Sequence, residues 1–599
     1  MATENISDPV NIAWYKRKID VSIFINGKWT SCIPYVYTNN TWVKSKAILC
    51  ELNMIYYITY NLDGGTLPDD AKKEYYEYDG LSSLPTPTKN GYTFLGWYES
   101  SDFSGSAVTS IPAGSTEDKV LYANWIEQPV LTTGLKFNKV IPTTTTAIVF
   151  TDETAPSDAI LIDVSSKNDG SIVGWLDGTT FKVSPQMVGQ KILANEDCSY
   201  MFCGNKYNGN RLEITQNLTS ITGLENIYTS NVTNMNGMFY EAGQKATSFN
   251  IGDLGSWDTS KVTNMSFMFY GAGQNTTTWN IGSLSKWNTS SATNISFMFA
   301  YAGQNAKTFD IGNLNGWDTS NVTNMSGMFV YAGQKATTWN IGDISSWNTS
   351  KVTDMASMFA FTGQNVTIWN VGNLSNWDTS KATNMSSMFV YAGTNAKTFD
   401  IGDLSNWDTS NVTNMSSMFG ATGQNATTWN IGNLSRWNTS KVTNMSGMFV
   451  YVGQKVTTFD IGDLGGWDTS NVTNMSSMFY GAGRNAITWN IGDISHWDVS
   501  NVTNISGMFG SAGINITTLD LSGWNTSKVT NMNIMFYALN NLRTIYVGDG
   551  WNVSNVTSST NMFYDCNSLV GQSGTTYNST KVDVSMANYT TGYLTYKST

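Results

Sequence analysis

From about Asn231 to Phe563 the apolar and polar positions repeat one pattern. A Met-Phe pair (Ile-Met-Phe or Asn-Met-Phe in the last copies) ends at Phe239, Phe269, Phe299, Phe329, Phe359, Phe389, Phe419, Phe449, Phe479 and Phe509, then at Phe536 and Phe563. The first ten are thirty residues apart and the last two follow at intervals of 27. A fixed period of this length predicts a solenoid. In Thr278-Trp279-Asn280-Ile281 apolar and polar residues alternate, which predicts a short half-buried strand. A glycine follows (Gly282, and likewise Gly252, Gly312, Gly342, Gly372, Gly402, Gly432, Gly462 and Gly492) and predicts a bend with positive φ or close backbone packing. In Val262–Phe269 the apolar spacing of three, three and one predicts a short helical or 3-10 turn after an extended entry. Each copy is therefore expected to form one coil: strand, bend, second short element and Gly-rich return. A lone coil cannot bury its apolar side, but stacked coils cover one another. Twelve coils at strand spacing extend on the order of 55–60 Å. Met265, Met268 and their equivalents form columns expected to fill the core.

Two rows stand out as candidate contacts. The residue after the strand aromatic is Asn250, Asn280, Asp310, Asn340, Asn370, Asp400, Asn430, Asp460 or Asn490. In register these make a polar ladder on the solvent side, with Asn relieving the repulsion of an all-Asp column. The ladder is either structural or a row of weak cation or glycan contacts. Just after Met-Phe, one of two adjacent positions usually carries an aromatic: Tyr240, Tyr270, Tyr301, Tyr331, Phe361, Tyr391, Tyr451 and Tyr480. The swap between the two positions predicts a column at an edge, serving either edge packing or ligand contact.

Val262-Thr-Asn-Met-Ser266, with Trp-Asp-Thr-Ser-Asn in neighbouring copies, resembles the BspA-like surface repeat, a distant relative of leucine-rich repeats, over about 230–565. The resemblance implies a mainly β, leucine-rich-repeat-like solenoid of about twelve coils and a role in surface attachment, not catalysis. The copies here are longer, with an insert of the type Ala272-Gly273-Gln274-Asn275. Residues 55–127 carry Tyr60-Asn-Leu-Asp-Gly-Gly65, Gly91-Tyr-Thr-Phe-Leu-Gly-Trp-Tyr98 and Leu121-Tyr-Ala-Asn-Trp125. They resemble the internalin-type B-repeat, which implies a small β-grasp-like spacer. Residues 1–54 hold Ile25-Asn-Gly-Lys-Trp29 and Thr38-Asn-Asn-Thr-Trp42, each readable as a hairpin. The paired phrases resemble small modules of phage structural proteins and imply a possible assembly anchor.

Between these units, residues 128–230 follow a Pro-containing joint. Strands are expected at 147–150 and 159–163, and a hairpin pairs 171–175 with 180–183. Cys198-Ser-Tyr-Met-Phe202 echoes the Met-Phe pair, so this region reads as N-terminal cap and entry coil for a solenoid at 231–565. Residues 566–599 break the period and read as the C-terminal cap.

The chain has 599 residues, 13% charged, with 33 basic and 45 acidic residues and a net charge of −12. No basic cluster marks a nucleic-acid partner. Five cysteines (Cys32, Cys50, Cys198, Cys203, Cys566) lack the spacing of a disulfide framework or zinc site and read as thiols. The single histidine, His496, occupies a variable repeat position and reads as exposed, which leaves no Ser/His/Asp or Cys/His set. No catalytic, cofactor-binding or metal-ligating residue is expected. The first residues carry no signal-peptide pattern and no stretch is long and apolar enough to span a membrane. The expected function is a non-enzymatic adhesin, a phage fibre-like virion protein contacting a host-surface protein or glycan, with other virion proteins at its N-terminus and possible homo-oligomers. A bacterial cell-surface adhesin is the alternative. A carbohydrate-active enzyme on a solenoid, using paired carboxylates, is the third reading.

Overall fold

A computed structural model describes residues 54–204 and 213–598, with the backbone of three strands nearer the N-terminus. The chain divides between Gln128 and Pro129 into two compact units.

In the first unit β1 (Val21–Ile25), β2 (Lys28–Pro34) and β3 (Cys50–Asn53) form an antiparallel sheet in that order. The hairpin expected around Ile25–Trp29 is present, with Ile25 opposite Lys28. The one expected around Thr38–Trp42 lies outside the described residues, as do the side chains of Cys32 and Cys50. The B-repeat-like segment is a separate four-stranded sheet of β4 (Ile55–Asn61), β5 (Glu74–Tyr76), β6 (Tyr92–Tyr98) and β7 (Lys119–Glu127). Its order is β5-β4-β7-β6, with β4 and β7 parallel at the centre, as in a β-grasp sheet. No helix crosses this sheet. Leu81, Leu84, Val108 and Ile111 from the connections join Ile58, Trp97 and Leu121 in its core.

The second unit opens with α1 (Gly134–Val140), β8 (Ala147–Phe150), β9 (Ile162–Asp163), β10 (Val173–Asp177), β11 (Thr180–Ser184), β12 (Ile192–Leu193), β13 (Ser220–Thr222) and β14 (Ile227–Tyr228). The hairpin β10–β11 is present. The strand expected over 159–163 shrinks to Ile162–Asp163, with Ile160 and Leu161 exposed. Strand β8 pairs in parallel with both β11 and β13, and β13 pairs with Phe249–Asn250 of the first coil. The cap and the solenoid thus share one sheet, which the antiparallel strands β11, β10 and β9 terminate. Phe137 of α1 meets Phe202, and Phe202 stacks on Phe239, closing the end of the phenylalanine column. At the far end Tyr593 lies edge-on against Phe563.

Each coil repeats one route. Thr308–Asp310 is a strand whose Phe309 points inward, Gly312 bends the chain at φ +80°, and Leu314–Gly316 is a 3-10 turn. Parallel pairing keeps coils in register, as in Phe309 against Trp339 and Asp310 against Asn340. The methionine columns are fully buried. The short helical or 3-10 turn expected at Val262–Phe269 is a chain of separate tight turns with i→i+3 hydrogen bonds, as from the Met268 N–H to the Met265 carbonyl, and no continuous helix. In the equivalent stretch, Gly327 and Tyr331 adopt φ +60° and +59° and block helix propagation. Alternate N–H groups then leave the coil: those of Met325, Gly327, Phe329 and Tyr331 donate to carbonyls of the next coil at 2.7–3.0 Å.

One correlated variation follows from the need to satisfy buried donors. The indole N–H groups of Trp369 and Trp429 donate to Thr362 and Thr422, both at 3.1 Å. Where the strand aromatic is Phe309 or Phe399, the threonine position holds Ala302 or Ala392. Trp279, Trp339 and Trp489 follow Ala272, Ala332 and Ala482 instead: Trp489 donates to the Ala482 carbonyl at 3.1 Å, while the buried Nε1 of Trp279 and of Trp339 has no partner. Ala332→Thr is therefore expected to stabilise the solenoid by about 1 kcal/mol, read as a higher denaturant midpoint. Ala392→Thr, beside a phenylalanine, should give no such gain.

Candidate functional site: the solvent-facing rows

The strand places Asn250, Asn280, Asp310, Asn340, Asn370, Asp400, Asn430, Asp460 and Asn490 on the exposed face. Each Oδ1 accepts the N–H of the glycine two residues on, at 2.8–3.1 Å. The ladder thus holds the bend in every coil. It is also cross-linked: the amides of Asn340, Asn430 and Asn490 donate to Asp310, Asp400 and Asp460 one coil back, at 3.0–3.1 Å. No two of these aspartates are on neighbouring coils.

A second row, not anticipated from the sequence, runs beside the first. Asn313, Asp343, Asn373, Asp403, Asn433 and Asp463 accept the N–H two residues on at 2.9–3.0 Å. Hydrogen bonds from Ser405 hold the Asp403 carboxyl below the usual range against the opposing effect of burial. The bend glycines floor the gap between the rows. A Cβ on Gly402 would lie 1.9 Å from Asn373 Oδ1. Two shallow grooves open here, one of about 570 Å³ between Ile368 and Asn430 and one of about 370 Å³ between Trp489 and Asp520.

The aromatic row lies elsewhere on the coil, and its rings pack on one another. Tyr240 stacks on Tyr270 (4.7 Å between centroids), Tyr301 on Tyr331 (4.7 Å), Tyr331 on Phe361 (4.3 Å) and Phe361 on Tyr391 (5.0 Å). Tyr451 meets Tyr480 edge-on, and the run is broken at Gly420-Ala421. Tyr301, Tyr331, Phe361, Tyr391 and Tyr451 all sit at φ between +57° and +61°. Where the first position holds Tyr270 or Tyr480, a glycine (Gly271, Gly481) takes that left-handed site, and after Tyr240 it is Glu241 at φ +54°. Tyr270, Tyr301, Tyr331 and Phe361 cover a small core of Ala300, Val330, Ala360 and Val390. Within the stacked run neighbouring rings occupy one another's faces, so the row presents chiefly edges and hydroxyls. Beside it the Ala-Gly-Gln-Asn insert named above forms a glutamine column. Gln244, Gln274, Gln304, Gln334 and Gln364 hand amide hydrogen bonds along at 2.6–3.0 Å.

Burial raises the hydroxyl pKa of Tyr240, Tyr270, Tyr331 and Tyr451 above the ordinary value. The folded chain therefore holds these protons more tightly than the unfolded one. Their contribution to stability is complete below about pH 10 and is lost as pH rises through the folded values. Melting temperature should be flat from neutral pH to about pH 8.5, decline above it as the unfolded chain's thiols ionise, and fall more steeply above about pH 10, with delayed phenolate absorbance as the parallel readout.

The remaining candidates are plain in the structure. His496 is exposed. Cys198, Cys203 and Cys566 are buried thiols, and burial pushes Cys198 and Cys566 up to about 12. Among the described residues no group of three or more His, Cys, Asp or Glu could hold a metal ion, and no helix is long and apolar enough to cross a membrane.

An in-register β solenoid with a separate β-grasp-like sheet defines a β-rich repeat protein. Its repeats match the family described as "Mycoplasma protein of unknown function, DUF285", over residues 210–303, 273–374, 301–400, 363–482 and 450–578. These matches span more than half of the sequence, and the chain belongs to that family. Residues 56–124 match the Listeria-Bacteroides repeat domain. The two repeat families suggest a surface or adhesin-like role and agree with the expected BspA-like and B-repeat resemblances. Neither match covers the phrases at 25–42, and the resemblance to phage modules has no support in the comparisons. No curated protein and no solved structure matches the chain.

Proposed function

We propose that the chain is a non-enzymatic adhesin displayed on an outer surface, gripping a cell-surface glycan or protein through many weak, identical contacts. The observation that carries this reading is the in-register stacking, which offers the same exposed Thr and Asn/Asp groups coil after coil. Repetition converts faint single contacts into avidity. The family matches support a surface role. The pairing of the Ile25–Trp29 and Thr38–Trp42 phrases favours a phage particle as that surface, with the solenoid reaching for the host. Immunogold labelling of separated particles and producing cells tests it. Label on particle appendages fits the virion reading, and label on the producing cell's exterior moves the adhesin to that cell. Label on neither, with no binding of the purified chain to any cell, overturns the adhesin.

A further inference from the structure

The two grooves on the sheet face share a construction. Each runs along the two Asn/Asp rows over bend glycine (Gly372 and Gly402 in one, Gly492 in the other), beside the strand backbone at Trp369 or Trp489, whose rings turn toward the core. In the larger groove Asp400 Oδ1 takes the Gly402 N–H and the Asn430 amide, while its Oδ2 receives no hydrogen bond. Asp403 stands beside it as a second hydrogen-bond acceptor. Ile368 is 70% exposed at a position where the neighbouring coils carry Thr338 and Thr398. Carboxylates and amides with an apolar patch at one side suit a polyhydroxylated ligand.

The lattice restricts the ligand further. The rows repeat at strand spacing, about 4.8 Å. A partner that makes the same contact on successive coils must itself repeat at nearly that interval along a line. An extended β-linked chain of pyranose sugars advances by nearly that interval per sugar, alternate sugars being flipped, whereas an irregular globular surface offers no such line. Asp310, Asp400 and Asp460 in the row, on a chain of net charge −12, disfavour an acidic polymer.

We infer that the sheet face binds an extended, uncharged polysaccharide lying along the solenoid axis, about one sugar per coil, with the groove at Ile368–Asn430 as its best-formed seat. This deepens the adhesin reading and rests on it. The test is calorimetric titration of the full chain with neutral β-1,4-linked cello- and chito-oligosaccharides of two to six units, with polygalacturonate as the acidic comparison. Affinity for at least one neutral series should rise roughly tenfold or more from dimer to hexamer and exceed that for polygalacturonate. Ile368→Arg and Thr398→Arg, both at exposed positions outside the glycine-bend hydrogen bonds, should each weaken hexamer binding about tenfold at unchanged melting temperature. The length series on the unaltered chain stands whether or not those variants fold. No binding in either neutral series, affinity independent of length, preference for polygalacturonate, or full binding by folded variants overturns the inference. Attachment of the chain to cells without oligosaccharide binding removes this inference and leaves the adhesin standing.

Discussion

Replacing Trp407 with alanine is expected to destabilise the centre of the solenoid by about 3–5 kcal/mol and to split its melting into two transitions. Trp407 is 2% exposed and sits between Trp377 and Trp437 at 6.4 and 6.3 Å, with planes within 3°. Its indole N–H donates to the Leu374 carbonyl of the preceding coil at 2.9 Å. That carbonyl also accepts the Trp377 N–H, so most of the loss comes from the cavity and not from an orphaned acceptor. Coils touch only their neighbours, so a weakened interface uncouples the segments on its two sides. Differential scanning calorimetry reads both effects. Thr398→Ala, at an exposed position in the adjoining strand, should leave a single transition within about 0.5 kcal/mol of the parent.

Deleting residues 351–380 is expected to leave a folded solenoid, whereas deleting 351–365 should destroy the centre of it. The first cut removes one whole coil. It brings Trp347 beside Trp407, Phe329 beside Phe389 and Tyr331 beside Tyr391, so like stacks on like. It also sets Asn340 before Asp400, as Asn370 is in the parent, and in the second row brings Asp343 beside Asp403, an exposed like-charge contact of small cost. The shift in melting temperature should stay within about 5 °C. The half-coil cut joins a strand to the wrong part of the next coil and turns apolar columns outward. Circular dichroism and limited proteolysis distinguish the two products.

The period made the coil legible before any coordinates. Thr308–Asp310, Gly312 and the buried methionines could be placed from spacing alone, because burial and backbone handedness act locally and identically in every copy. The failures have equally physical causes. Val262–Phe269 has the apolar spacing of a helical turn, but left-handed residues at Phe267 and Gly271 divert its N–H groups to the next coil. The aromatic row was recognised as an edge, yet nothing in a linear string shows that Tyr331 lies 4.3 Å from Phe361 and shares its face. The groove between the ladders needed the second row at Asp403. Its role as a turn acceptor depends on backbone geometry, and its place beside Asp400 depends on the bend between them.

Nine indoles, from Trp287 to Trp524, stand 6.1–6.5 Å apart with planes within 8° of one another. At such separations an electronic excitation does not stay where the photon landed; it hops from ring to ring before emission. The column's emission is therefore a collective property, and replacing any one of its buried rings alters the light given out by its neighbours.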